Sequence, residues 1–154
     1  MGPSREIPEP MQPELKSFKL AGKQFPSPET FVKGNHLGFF CILDSRTVVS
    51  REQILISFHR SGRLQSQSRI RLRESLFMML VAGEPQISNA IGSAGIGPET
   101  SGITVVYDNE NDLMAFVESM GGLLEPVEAP FPDKTPENLV PIMFRKMIRV
   151  QLSL

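Results

Sequence analysis

A chain of 154 residues is long enough to bury one hydrophobic core, and its 40% hydrophobic and 21% charged residues are those of an ordinary globular domain. Cys41 is the single cysteine, which excludes an internal disulfide and a cysteine-based metal site and favours a reducing compartment. No apolar run approaches the length of a membrane span, and the proline-rich N-terminus lacks the pattern of a secretion signal. We therefore expect a cytoplasmic protein with one domain.

Charge is distributed unevenly along the chain, although the formal net charge is only −1. Residues 46–73 contain seven arginines and one acid, residues 74–142 contain eleven acids and one lysine, and residues 143–154 add three basic side chains. Such a chain can present a positive surface to a polyanion. Arginine suits the planar recognition of phosphates and bases, which favours nucleic acid. The alternative is that the opposite charges pair within the fold.

The first part of the chain is predicted to hold an extension, two strands and a short helix. Residues 1–14 contain four prolines and few apolar side chains, which is typical of a disordered extension, so we expect the domain to span residues 15–154. Alternation over residues 16–21 predicts a first strand, and residues 29–33 a short helix. The continuously apolar residues 37–43 (LGFFCIL) predict a buried strand.

The first well-defined helix is predicted to begin after Ser50. The Ser50 hydroxyl can cap the helix, and Gln53 three residues later completes a capping-box pattern. Ile54, Leu55 and Phe58 are expected to form the stripe that faces inward, and Gly62 is a suitable end.

Arginines then alternate with apolar residues in the stretch SRIRLR at residues 68–73, before the chain becomes wholly apolar. A period of two predicts an extended strand with a guanidinium face, continuing to Val81. One interpretation is an edge strand that charge protects from aggregation. The other is a surface, shared with the basic end of the preceding helix, that holds a phosphodiester backbone and releases its counterions. The candidate contacts of that surface are His59, Arg60, Arg63, Arg69, Arg71 and Arg73.

The next elements are a helix, a strand and a second helix. Pro85 suits the first position of a helix, which ends at Gly95. Residues 103–107 (ITVVY) predict a strand, and the helix that follows it is expected to turn Val117 inward and to end at Gly121.

The last part of the chain is predicted to cross irregularly and end in a helix. Residues 125–136 contain four prolines and form the irregular crossing. The amphipathic helix over residues 135–150 is expected to kink or restart at Pro141. The whole pattern predicts an α+β domain, in which helices cover a small mixed or antiparallel sheet.

Signals for catalysis are nearly absent from the sequence. The two histidines, His36 and His59, have no partner at metal-ligand spacing. The glycines of residues 92–97 are typical of a helix cap and a turn, and the acids of residues 108–112 of helix capping. We expect no enzyme activity, no metal and no cofactor.

Three stretches in order carry a resemblance to one family. They are residues 42–55 (ILDSRTVVSREQIL), residues 80–91 (LVAGEPQISNAI) and residues 103–122 (ITVVYDNENDLMAFVESMGG). Their order and spacing resemble the small accessory subunit of the KEOPS (EKC) complex, the TPRKB family, in its archaeal form. The similarity covers residues 39–124 and extends more loosely to the last helix.

The resemblance implies a non-catalytic subunit that binds and stimulates the small atypical kinase of the complex. It also implies binding of tRNA, including the 3′ CCA end, in support of threonylcarbamoyl-adenosine synthesis. On this view the arginines form a tRNA platform, and Ile87, Ile91, Met143 and Met147 are candidates for the kinase contact, with packing in the core as their alternative. Two other functions stay open: a kinase activator without RNA binding, and a regulatory domain for a small ligand.

Overall fold

The computed structural model describes residues 12–21, 36–70 and 72–154. Residues 1–11 of the predicted extension, the short helix predicted over residues 29–33, and Arg71 lie outside the described residues. Glu14, the last residue of the predicted extension, begins the first strand.

Among the described residues, four antiparallel strands form the sheet of this α+β fold in the spatial order β2-β3-β1-β4. The strands are β1 (Glu14–Leu20), β2 (Phe40–Asp44), β3 (Gly102–Tyr107) and β4 (Leu124–Val127). The α+β prediction is confirmed, and the sheet is antiparallel rather than mixed. Strand β4, which pairs with β1, was missed because residues 125–136 were expected to be irregular.

Five α-helices accompany the sheet in the part of the chain that the structure describes. They are α1 (Arg51–Leu64), α2 (Arg73–Ala82), α3 (Ile87–Ala94), α4 (Glu110–Ser119) and α5 (Val140–Ser153). A 3₁₀ turn, Glu137–Leu139, precedes α5, and Pro141 lies in the first turn of α5. The last helix was predicted over residues 135–150 with a kink or restart at Pro141, and α5 instead begins at Val140, beside Pro141, and ends at Ser153.

The core has one part on each face of the sheet. On one face, Cys41 and Leu43 of β2 pack with residues of α1, α2, α3 and α5. On the other face, Phe40 and Ile42 pack with residues of α4. Because both faces are covered, β2 is apolar at successive positions instead of alternating with polar residues.

The strand predicted over residues 68–81 is wrong, because α2 begins at Arg73. Residues 76–81 are all buried, and α2 packs against α1, α3 and α5. A helix surrounded by other helices is apolar all round, so its sequence has no helical period. Gly83 ends α2 with a φ of 72°, a left-handed conformation that glycine adopts without steric cost.

The ends and faces of other helices differ in detail from the predictions. The Ser50 hydroxyl accepts a hydrogen bond from the Gln53 backbone N–H at 2.9 Å, which confirms the cap of α1. That helix continues past Gly62 to Leu64, and Val117 is exposed on α4 instead of facing inward.

Two carboxylates at the start of α4 fix the segment that leads into β2. Asp112 accepts hydrogen bonds from the backbone N–H groups of Leu37 at 2.8 Å and Gly38 at 2.9 Å. Asp108 accepts one from the Phe39 N–H at 2.8 Å. These bonds join α4 to the strand that carries both parts of the core, so the acids of residues 108–112 have a structural role.

Candidate nucleic-acid interface

The basic segment forms the corner between α1 and α2. A 3₁₀ turn, Gln65–Gln67, extends α1, residues 68–70 and Leu72 have no regular structure, and α2 begins at Arg73. Ile70 is partly buried against the core, while Arg69 beside it is exposed. Leu72 is also exposed, so the two-residue alternation does not extend through the segment.

Arg73 turns its guanidinium back towards α1. Its Nη2 donates to the carbonyl oxygen of Phe58 at 2.6 Å, and its Nε donates to the Ser61 hydroxyl at 3.1 Å. Its Cζ lies 4.0 Å from the centre of the Phe58 ring and 5.4 Å from that of Phe39. Burial lowers the pKa of Arg73 from its ordinary value, against the opposing effect of the nearby carboxylates of Asp108 and Glu74. Arg73 therefore holds the corner together, with its Nε and Nη2 donors bonded to α1.

Three other arginines of this region do not turn back into the corner: Arg63 and Arg69 are exposed, and Arg60 is partly exposed. Arg60 and Arg63 lie on α1 outside its buried stripe, and Arg69 lies on the turn that follows. The Arg60 guanidinium lies 5.5 Å from the centre of the Phe144 ring, which places the end of α1 against α5. His59 lies beside them, partly exposed, with its ring edge-on to Phe58.

Internal ion pairs do not neutralise these three arginines among the residues that the structure describes. The ion pair found there joins Arg46 to Asp44, with Nη2 and Oδ2 at 2.7 Å. Arg60, Arg63 and Arg69 have no acidic oxygen within ion-pairing distance in the same residues. The expectation that opposite charges pair across the fold is therefore not met at this corner.

Helix α5 adds basic side chains, which in the sequence appear only as an excess of positive charge over residues 143–154. Arg145 and Arg149 are exposed, and Arg145 follows the Phe144 that contacts Arg60. The side chain of Lys146 instead packs over Gly83. The excess of basic residues in the last twelve positions was the signal for this surface, but the sequence did not place it beside α1.

The four candidates for a kinase contact separate into two pairs. Ile87 is 38% exposed and Ile91 is 37% exposed, one turn apart on α3. Met143 and Met147 are buried in the core, and the Thr135 hydroxyl lies 3.5 Å from the Met143 sulfur. For the methionines the structure favours the alternative of packing in the core, because α5 turns them towards the core that it shares with α1 and α2.

An open groove of about 540 Å³ runs beside the first turns of α1. Leu55 and Ile56 line it between Arg51 and the carboxylates of Glu52 and Asp133.

Within residues 12–21, 36–70 and 72–154, no three histidine, cysteine or acidic side chains come together as a metal site. None of the helices in the described part of the chain combines the length and the apolar character that a membrane span requires.

No protein-family model matches this chain, and no curated protein matches it.

Proposed function

We propose that this protein is a non-catalytic accessory subunit of a KEOPS-type complex. In this role it binds the small atypical kinase of the complex and tRNA, including the 3′ CCA end, and supports threonylcarbamoyl-adenosine modification. The observation that carries the RNA-binding part is the corner with the exposed Arg63 and Arg69 and the half-buried Arg60, none of which has an acidic partner among the described residues.

The placement of the three resembling stretches supports the family assignment. The first covers most of β2 and the start of α1, and the second covers the end of α2 and the start of α3. The third covers β3 and α4. The resemblance therefore falls on the elements that build both parts of the core, as similarity in fold requires.

The chemistry of the corner suits a nucleic-acid backbone. Each guanidinium offers a planar set of donors that matches two phosphate oxygens at once. Because Arg60, Arg63 and Arg69 are not paired with described acids, binding a phosphate breaks no internal ion pair there. Each contact also releases condensed counterions, which makes the affinity depend on salt. Arg73 has no part in this contact, since its guanidinium is bonded to α1.

The kinase contact is assigned to α3. Ile87 and Ile91 form a half-exposed apolar ridge at a spacing of four residues, which is the arrangement that a partner helix or groove recognises. This ridge also favours the second candidate function, a kinase activator that does not bind RNA.

The test measures binding of the whole protein to intact tRNA and to tRNA that lacks its CCA end, across a salt series. A double variant, Arg63→Ala with Arg69→Ala, is expected to reduce the magnitude of the salt slope by about 1.4, given about 0.7 for each single-strand phosphate contact. The matched control is Lys16→Ala with Lys19→Ala, which removes two exposed charges from β1. Its slope should stay close to that of the wild type.

Two results would overturn the RNA-binding role. One is an absence of tRNA binding both with and without the kinase, and the other is an equal loss of binding in the two double variants. If the kinase still binds, and Ile87→Asp with Ile91→Asp abolishes that binding, the activator function without RNA stands alone.

A further inference from the structure

Helix α5 presents an apolar ridge beside a basic one. Phe144, Ile148 and Leu152 recur every four residues, so they lie along one side of the helix. Ile148 is 49% exposed and Leu152 is 81% exposed. Arg145 and Arg149 form the adjacent row, and α5 contains no acidic residue. Phe144 alone is held within the molecule, by Arg60 and the core.

Helix α4 presents the opposite combination on its outer side. Glu110, Met114 and Glu118 recur every four residues, and Val117 lies beside them. Met114 is 61% exposed and α4 contains no basic residue. The outer ridge of α4 is thus apolar and acidic where that of α5 is apolar and basic.

The two ridges cannot meet within one molecule. Helix α4 contributes Leu113 and Phe116 to the core on one face of the sheet, and α5 contributes Met143 and Met147 to the core on the other. Arg145, Arg149 and Glu118 have no ion pair among the described residues. Complementary surfaces on opposite sides of one chain can only be joined by two copies.

We propose that α5 of one copy packs against α4 of a second copy, in a head-to-tail contact that joins the basic apolar ridge to the acidic apolar ridge. Such a contact is heterologous, because the two copies contribute different surfaces. A single pair of short helices buries less than the roughly 1,600 Å² of a standard stable interface, so the association is weak and reversible. Each pair of copies leaves a free α4 ridge at one end and a free α5 ridge at the other. Further copies can therefore add, so the assembly grows with concentration instead of stopping at a dimer. This inference does not depend on the proposed function, because the contact joins two copies of the chain and needs neither RNA nor the kinase.

Sedimentation equilibrium of the whole protein without RNA tests the contact, at low and high salt and from micromolar to near-millimolar concentration. The average mass of the wild type should rise above 17.1 kDa with concentration, and less so at high salt. Two exposed positions are then reversed separately, as Arg149→Glu and Glu118→Arg. Each reversal places like charges opposite one another and should lower the association constant by about tenfold or more.

An equimolar mixture of the two variants is the decisive sample. Arg149→Glu keeps the wild-type α4 and Glu118→Arg keeps the wild-type α5, so these two helices can form the wild-type contact in the mixture. The two charges that these substitutions reverse, at positions 149 and 118, can also pair with each other. Regained association in the mixture supports the head-to-tail contact. The proposal is overturned if the wild type stays at 17.1 kDa throughout, if either variant associates as the wild type does, or if the mixture remains monomeric. Far-UV circular dichroism confirms that each variant is folded.

Discussion

Replacing Arg73 by alanine is expected to destabilise the fold. Its guanidinium donates to the Phe58 carbonyl at 2.6 Å and to the Ser61 hydroxyl at 3.1 Å, and it lies 4.0 Å from the centre of the Phe58 ring. Alanine removes all three interactions between the start of α2 and the end of α1. The corner that carries Arg69 then loses the side chain that joins its two helices.

The size of the effect follows from these contacts. A hydrogen bond to a charged group contributes about 1.5–3 kcal/mol, and a cation–π contact about 0.5–2 kcal/mol depending on its desolvation. The lower part of each range applies, because Arg73 is only half-buried and the Phe58 carbonyl keeps a second donor, the Ser61 hydroxyl at 2.7 Å. We expect a loss of about 3 kcal/mol in the free energy of unfolding.

Urea unfolding followed by far-UV circular dichroism measures this loss, since the chain has no tryptophan for fluorescence. With a denaturant slope of about 2 kcal/mol per molar urea, the midpoint should fall by about 1.5 M. Arg63→Ala is the control, because an exposed side chain without such contacts changes stability by less than about 0.5 kcal/mol. Arg73→Lys should recover only part of the loss, since lysine lacks the planar fork. If Arg73→Ala and Arg63→Ala unfold at the same midpoint, the guanidinium does not hold the corner.

Two further predictions concern buried carboxylates. Asp112→Asn leaves one of the two backbone amides before β2 without its acceptor. The free energy of unfolding should fall by about 2 kcal/mol and the unfolding temperature by about 6 °C. The control Asp133→Asn, at an exposed position, should leave the unfolding temperature unchanged. Burial raises the pKa of Asp44, but hydrogen bonds from Arg46 and Thr100 outweigh burial and lower it below its ordinary value of 3.8. A lowered pKa in the folded state means that this stabilisation is present above about pH 4 and is lost as the pH falls further. The Asp44→Asn variant should therefore be less stable than the wild type at pH 7 and lose less stability than the wild type between pH 4 and pH 2. Urea midpoints measured across this pH range test the prediction, and an equal fall in the midpoints of variant and wild type would contradict it.

The sequence was sufficient for elements whose period or caps were distinctive. Helix α1 has a polar face and a side-chain cap, and β2 is a short apolar run bounded by turn residues. Residues 76–81 have neither feature, because α2 is surrounded by other helices and no face of it needs to be polar. A short run of this kind is equally compatible with a buried strand, and only the neighbouring elements decide between them.

The candidate site was predicted only in part, because the local arginine pattern does not decide the conformation of the backbone. A row of alternating arginines indicates a basic surface only if the backbone is extended along its whole length. Here the helix begins at Arg73, which reverses the direction of that side chain, while Arg69 remains on the turn and exposed. The hydrogen bond to the Phe58 carbonyl joins residues fifteen positions apart, so no local pattern could indicate it.

The corner between α1 and α2 thus combines two kinds of arginine that one sequence motif does not distinguish. Arg73 is bonded to α1 and partly buried, so its contribution is to the stability of the corner. Arg63 and Arg69 are exposed and have no acidic partner among the described residues, so under the proposed function they are the side chains that would contact phosphate. A phosphate-binding surface needs both kinds, because guanidinium groups on a loosely held turn would lose conformational entropy on binding. Stability and salt-dependent affinity are therefore independent measurements at this corner, and they assign each arginine to its role.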